Sequence, residues 1–150
     1  MLRRNLYLII VIVLVSILPL HTLVIETQEG THWCPFPKEL KITVSYTHSV
    51  SLTPVEDTYK VTGKGFFIIK ERWQSFLAGQ PTDFQKIEGK YYVRESNEFL
   101  GKEWRYWFIP VNNVTIKVNG KPIVSHMKKE GLVIFKIIKM PLFLTIFRRC

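Results

Sequence analysis

Cysteine is scarce in this chain. Cys34 and Cys150 are its whole complement, too few for a disulfide-stapled scaffold and matching no zinc-ligand spacing. One bridge between them is open to a chain that reaches an oxidising compartment. Acidic residues are also few, 12 against 21 Lys and Arg, for a formal charge of +9. Leaving out Arg3 and Arg4 still gives 19 basic residues against those 12, so the excess belongs to the body of the chain. A surface of that sign suits anionic lipid headgroups, acidic partners or nucleic acid, and in its plainest reading is a solvated lysine-rich face. Past the N-terminus no helical periodicity is convincing, and there is no internal repeat, no low-complexity stretch and no Gly-x-Ser-x-Gly nucleophile turn. A repeat solenoid and a hydrolase of that type are thereby set aside.

What the sequence does have begins at its start. Arg3 and Arg4 precede an almost unbroken apolar run from Leu6 to Leu18, interrupted by Ser16, which continues past Pro19 and His21 to Ile25. The layout is that of a basic flank and an apolar stretch. Leu6 to Ile25 has roughly the 20 residues that a spanning helix needs if Pro19 and His21 are tolerated near its outer end. No small-x-small cleavage site follows, so an uncleaved single-span anchor is expected over a cleaved signal. The positive-inside rule would keep Arg3 and Arg4 in the cytoplasm and everything after Ile25 outside it. The expected division is an anchor or signal at 1–25, an extracytoplasmic domain at 26–139, and an apolar-basic tail at 140–150.

The body alternates. Leu40, Ile42, Val44, Tyr46 and His48 share one face of a strand, and Val55, Tyr59 and Val61 continue the pattern on the next. Gly63 and Gly65 mark a tight connection, Glu88-Gly89-Lys90 another, and Asn119-Gly120 is a strong two-residue hairpin signal. Trp104, Tyr106 and Phe108 alternate with Arg105 and Trp107, and Leu132 to Ile138 supplies a late strand. The predicted fold is all-β, a compact antiparallel β-sandwich or barrel of about nine or ten short strands behind one N-terminal transmembrane or signal helix. Pro141 makes the tail an edge strand or a surface-lying piece, ending in Arg148 and Arg149.

Candidate chemistry gathers around Pro54. Matching the apolar faces sets Tyr46 opposite Tyr59 and Val44 opposite Val61, which puts His48 opposite Asp57, with Glu56 as the alternative acid if a bulge intervenes. Ser49 follows His48 directly and points to the other face of a strand, so a Ser-His-acid triad fails on geometry. A structural hydrogen-bond network is the plainer reading. Arg72, Trp73 and Gln74, with Gly79 allowing close backbone approach, are placed to line a ligand pocket shared with His48. No catalytic residue is assigned, no cofactor is implied, and the four histidines share no metal-ligand spacing. The aromatic run Trp104 to Phe108 looks like a nucleic-acid stacking platform, but export excludes that partner. Trp107 is the aromatic left for a partner or a membrane interface. Asn113-Val114-Thr115 is a glycosylation sequon on a predicted loop.

Tyr46 to Val50, Thr53 to Glu56 and Arg72 to Pro81, at their mutual spacing, resemble the pattern of a prokaryotic family, domain of unknown function eighteen-fifty. The resemblance covers roughly Leu23 to Ile138. It implies a small exported or anchored domain of the kind often encoded beside tripartite ATP-independent (TRAP) transporters of the TAXI type, with a transporter or solute-binding protein as partner. The family supplies no catalytic residue to carry over. The expected function is therefore a membrane-anchored accessory or binding domain, held at the membrane by its helix. The alternative is a small hydrolase or metal-dependent enzyme built on a His-acid pair at the Pro54 hairpin.

Overall fold

Pro19 divides the N-terminal apolar run into two different structures. In the computed structural model, which describes residues 2–76, 80–145 and 150 with side chains from residue 5, α1 covers Leu2–Ser16. Strand β1 takes Pro19–Thr27. A proline has no amide hydrogen and cannot continue the helical ladder, and the β-branched Thr22, Val24 and Ile25 beyond it fit a pleated sheet. The expected spanning helix from Leu6 to Ile25 is corrected accordingly. Among the described residues no helix is long and apolar enough to cross a membrane.

The other strands are β2 Gly30–Phe36, β3 Glu39–Thr47, β4 Pro54–Thr62, β5 Gly65–Trp73, β6 Lys86–Glu88, β7 Tyr91–Gly101, β8 Glu103–Phe108, β9 Thr115–Val118, β10 Lys121–Ser125 and β11 Gly131–Pro141. A 3-10 turn at Pro110–Asn112 and a short helix α2 at Leu142–Thr145 complete the described elements. The strands form two antiparallel sheets, a smaller one ordered β2-β1-β11-β8 and a larger one ordered β10-β9-β3-β4-β5-β7-β6. Neither sheet closes on itself, so the arrangement is sandwich-like and the barrel alternative is corrected. Eleven strands are described where about nine or ten were expected, because β1 and β2 lie in a stretch that hydropathy assigns largely to the anchor and its flank.

One core joins the sheets. Leu23, Ile25, Phe36, Phe108, Val133 and Phe135 from the smaller sheet meet Ile42, Val44, Val61, Phe66, Ile116 and Val118 from the larger, all buried. At roughly 1.5–3 kcal/mol for each fully buried large apolar side chain, this layer is the main stabilising term. Its turns follow the sequence. Asn119 and Gly120 both take positive φ, as a two-residue hairpin requires. The Asn119 side chain also accepts a hydrogen bond from the Lys41 amide at 2.8 Å, fixing the β9–β10 hairpin against β3.

The C-terminal stretch folds back on its own sheet. Met140 is buried, and Pro141 pairs with Pro19 at the end of the β1–β11 ladder, where its missing amide costs nothing to the interior. Arg148 and Arg149 lie outside the described residues. Cys150 forms a disulfide with Cys34 on β2, with Cα atoms 4.8 Å apart across a sequence separation of 116. In a chain-entropy account, closing a loop of that size restricts the unfolded chain by roughly 4–5 kcal/mol.

Two expectations follow from this architecture. A chain beginning at Glu26 loses the central strand of the smaller sheet and stays unfolded, whereas one beginning at Pro19 keeps dispersed amide resonances and a cooperative urea transition. Cys150→Ser, or reduction of the wild type, lowers unfolding free energy by roughly 2–5 kcal/mol, read as a shift of the urea midpoint between oxidised and reduced samples.

Candidate functional site

The register of β3 against β4 decides which of the expected groups can meet. Tyr46 pairs with Val55, Val44 with Asp57, Ile42 with Tyr59 and Leu40 with Val61. The predicted register is thus displaced by four residues, and Asp57 faces Val44 where His48 was expected. Both registers keep the apolar faces matched, since a slip by an even number of residues preserves side-chain direction. The six-residue connection from His48 to Thr53 sets the actual one.

In that connection His48 serves the backbone. Its amide donates to the Thr53 carbonyl at 2.9 Å, its carbonyl accepts from the Leu52 amide at 2.9 Å, and its Nδ1 faces the amides of Val50 at 3.3 Å and Ser51 at 3.4 Å. The Ser51 and Thr53 hydroxyls are 2.7 Å apart. Leu52 takes φ +54°, a left-handed conformation uncommon for a branched residue, and its side chain is 64% exposed. The turn therefore holds an apolar side chain in solvent at a cost of roughly 1–2 kcal/mol in backbone strain.

The expected ligand residues divide between the two faces of the larger sheet. Glu56 and Arg72 lie on the outer face, where Arg72 Nη1 donates to Glu56 Oε1 at 3.1 Å and the guanidinium stacks 4.4 Å over the Tyr91 ring. Ser45 Oγ donates to Glu56 Oε2 at 3.4 Å, and Lys70 pairs with Glu88 at 3.2 Å. This is a half-exposed ionic network of small energetic weight. Trp73 is fully buried on the inner face, edge-on to Phe76, with its indole N–H unpartnered among the described residues. Gln74 is half-buried in the connection after β5. Gly79 lies outside the described residues.

Asp57 is where the chemistry concentrates. It points between the sheets, 7% exposed, and accepts a hydrogen bond of 2.6 Å at Oδ2 from the Tyr106 hydroxyl on β8. Tyr106 also bonds the Tyr59 hydroxyl. With Asp57 ionised, Tyr106 spends its one proton on the carboxylate, so Tyr59 is the donor in that second bond. Burial pushes the Asp57 carboxyl up to about 7, opposed by the Tyr106 bond and reinforced by Glu71 and Glu56. Burial, then the charge of Asp57, raises Tyr46 and Tyr59 above the ordinary tyrosine range; the same two causes act first on Tyr106. Beside them Glu71 is raised by burial while Arg94 Nη1, donating to Glu71 at 2.9 Å, pulls it back. Arg94 also reaches Asp83 at 3.3 Å.

Sequence reasoning found Asp57 and missed its partners. The alternation does place Asp57 and Tyr59 on one face of β4 and Tyr106 inward on β8. What it lacks is the pairing of those faces across the core. Above the cluster a cavity of about 240 Å³ is lined by Tyr46, His48, Ser49, Tyr106, Trp107 and Asn112, among others. Asn112 fixes its wall, donating from Nδ2 to the Thr47 carbonyl at 2.8 Å and accepting the Ile109 amide at 2.7 Å. Exposed apolar side chains stand around it: Trp107 at 64%, Val50 at 76% and Leu52 at 64% in the His48 turn, and Val111 in the 3-10 turn at 49%. Among the described residues no three His, Cys, Asp or Glu side chains come together as a metal site.

Residues 42–124, from β3 into β10, match a family model described as Domain of unknown function (DUF1850). No curated protein and no solved structure matches the chain.

The raised Asp57 carboxyl makes stability depend on pH in a defined sense. Asp57 binds its proton more tightly folded, at about 7, than unfolded, near 3.8. Its contribution is complete below the unfolded value and is lost as pH rises to about 7, at about 1.4 kcal/mol per pH unit in between. Urea midpoints of the wild type should fall across that window. Asp57→Asn, which keeps an acceptor for Tyr106, should flatten the decline; an unchanged slope in that variant would assign it elsewhere.

Proposed function

The chain belongs to the family described as domain of unknown function (DUF1850), and we propose that it is a non-enzymatic extracytoplasmic binding domain, tethered to the membrane by α1, that presents the rim around Trp107 to a partner protein. The observation that carries this reading is the polarity of the molecule. Leu6 to Val15 are ten consecutive apolar residues between 45% and 70% exposed on all sides of α1. A helix without a polar face needs an apolar phase around it. Its apolar part, Leu6 to Ser16, extends about 16 Å, well short of the roughly 30 Å of a hydrocarbon core, so α1 would need Ile17 and Leu18 together with local thinning of the bilayer to act as a tether. At the far end of the sandwich stand Val50, Leu52, Trp107 and Val111.

Two further features support the compartment and the retained helix. The Cys34–Cys150 bridge belongs to an oxidising environment. Ile17 and Leu18 alone separate α1 from β1, so removal of the apolar run at the end of a signal would cut into the central strand of the smaller sheet. Cavity size favours a protein over a solute. About 240 Å³ lies below the roughly 300–1,000 Å³ of small-molecule sites, whereas an exposed tryptophan at the same end as exposed Val50, Leu52 and Val111 resembles part of a protein interface. Asp57 and its tyrosines then act as the buried support under that rim. The partner class proposed, from the association that the resemblance implies, is a TRAP-type transporter or its solute-binding protein.

The reading is tested by isolating membranes and washing them with alkaline carbonate, which should leave the chain in the pellet and open to added protease from the extracytoplasmic side. Co-purification with a TRAP-type transporter or its solute-binding protein should fall about tenfold or more in Trp107→Ala, the size of an interface hot spot. Leu52→Gly should raise stability by about 1 kcal/mol by releasing the left-handed strain, yet weaken the same capture. Carbonate-extractable protein, or capture indifferent to both substitutions, would remove the proposal.

A further inference from the structure

The end of the sandwich that carries the helix has its own chemistry. α1 gives way to β1 through Ile17 and Leu18, and the Leu142 amide of α2 donates to the Leu18 carbonyl at 3.0 Å, so the joint has no slack. Strand pairing then specifies what lies beside it. His21 pairs with Phe36 on β2 and with Lys139 on β11, and Glu39 pairs with Thr62 at the close of β4. The Thr62–Gly65 turn of the larger sheet presses on β1 from across the core: a Cβ placed at Gly63 would lie 2.5 Å from His21 Cε1. This end of both sheets therefore sits at the base of the helix.

An open cleft of about 670 Å³ runs along it, lined by His21, Lys38, Lys60, Lys64, Asn97 and Phe67, with Glu39 as the carboxylate in its wall. A smaller cavity of about 230 Å³ on the other side of His21 adds Lys102 and Lys139. Among the described residues the lysines in ion pairs are Lys70, Lys86 and Lys136, none of them here. Five lysines thus converge with one opposing carboxylate in the lining, and Lys60 is steadied over the Phe67 ring at 5.3 Å. Next to them α2, in contact with α1, exposes Phe143 at 43% and Leu144 at 37%. Apolar side chains flanked by unpaired lysines, at the foot of an apolar helix, are the composition of an interfacial lipid-binding surface.

We infer that this cleft docks the headgroups of anionic phospholipids, seating the sandwich directly on the bilayer with Phe143 and Leu144 in its interface and the Trp107 rim turned away from it. The inference rests on the tether proposed above and deepens it, adding a specific lipid class and a fixed orientation. The phosphodiester of an anionic lipid supplies the charge the lysines lack, and the cleft has room for one headgroup. His21 and Asn97 are the other hydrogen-bonding side chains available to the glycerol hydroxyls.

Full-length protein in nanodiscs of phosphatidylcholine alone, or with a third phosphatidylglycerol, separates the possibilities by amide hydrogen exchange. In the anionic discs, exchange in the 36–39 and 62–65 connections should slow roughly fivefold or more, the weight of about one lysine at a charged surface. The distal 48–53 connection should be unchanged, and about 0.5 M salt, roughly three times physiological, or the exposed triple change Lys38→Gln, Lys64→Gln, Lys139→Gln should abolish the slowing. Equal exchange in both discs, or slowing reproduced by inorganic phosphate on neutral discs, overturns the headgroup site and leaves the tether standing. A chain recovered outside both kinds of disc overturns the tether and the site together.

Discussion

The antiparallel pairing of β1 between β2 and β11 is the constraint on which most of the molecule depends. Eight residues of β1 are in register with β11 and seven with β2, which makes it the internal strand of the smaller sheet. Without it, β2 has no partner, Cys34 has no fixed position from which to meet Cys150, and the core loses Leu23 and Ile25. The same strand continues from α1 after two residues, so the sheet that covers the core also fixes where the apolar helix leaves. Folding and placement are one event here: the strand cannot form without setting the direction of the helix.

From that arrangement the two ends of the sandwich present different sets of connections. Connections at the helix end, between β2 and β3, β4 and β5, and β7 and β8, carry Lys38, Lys64 and Lys102. Those at the far end, between β3 and β4 and between β8 and β9, carry Val50, Leu52 and Val111 beside the exposed Trp107 of β8. Antiparallel strands deliver their loops to two poles, and loops are the part of a sandwich free to vary. In the proposed reading, the lysines beside the apolar helix would face a bilayer and the Trp107 rim would be held clear of it.

Between the poles lies a group that a purely packed core would not contain. Asp57 is inside the sandwich with one hydroxyl donor and a second tyrosine behind it, in an environment that favours its neutral form. Leaving a carboxyl there costs stability near neutral pH, whereas an apolar residue would cost nothing of that kind. Its hydrogen bond crosses from the larger sheet to β8 of the smaller one, directly under the wall that Tyr106, Trp107 and Phe108 build. A directional bond at that point positions the Trp107 strand against the His48 turn more specifically than dispersion contacts can. The outer ionic network of Glu56, Arg72, Glu88 and Lys70 has no such role, being half exposed and screened.

The sequence by itself determined the β-rich body, the alternation that assigns Val44, Tyr59, Tyr106 and Phe108 to the interior, and the hairpins at Gly89 and Asn119-Gly120. These are local properties, written in a period of two residues and in turn chemistry. It also pointed to Tyr46 to Pro81 as the family's mark and to Asp57 as a buried acid. Tertiary structure alone decided the rest. A slip of four residues leaves every side chain on its proper face, so alternation could not choose between His48 and Val44 as the partner of Asp57; the length of the His48 to Thr53 connection did. Hydropathy could not separate a helix from a buried central strand within one apolar run, because both are apolar all round, and of the two pairing partners of β1 one, β11, lies near the other end of the chain. The meeting of Tyr106 with Asp57, and of five lysines at the foot of α1, depends on strands far apart in sequence being laid side by side, which no local pattern encodes.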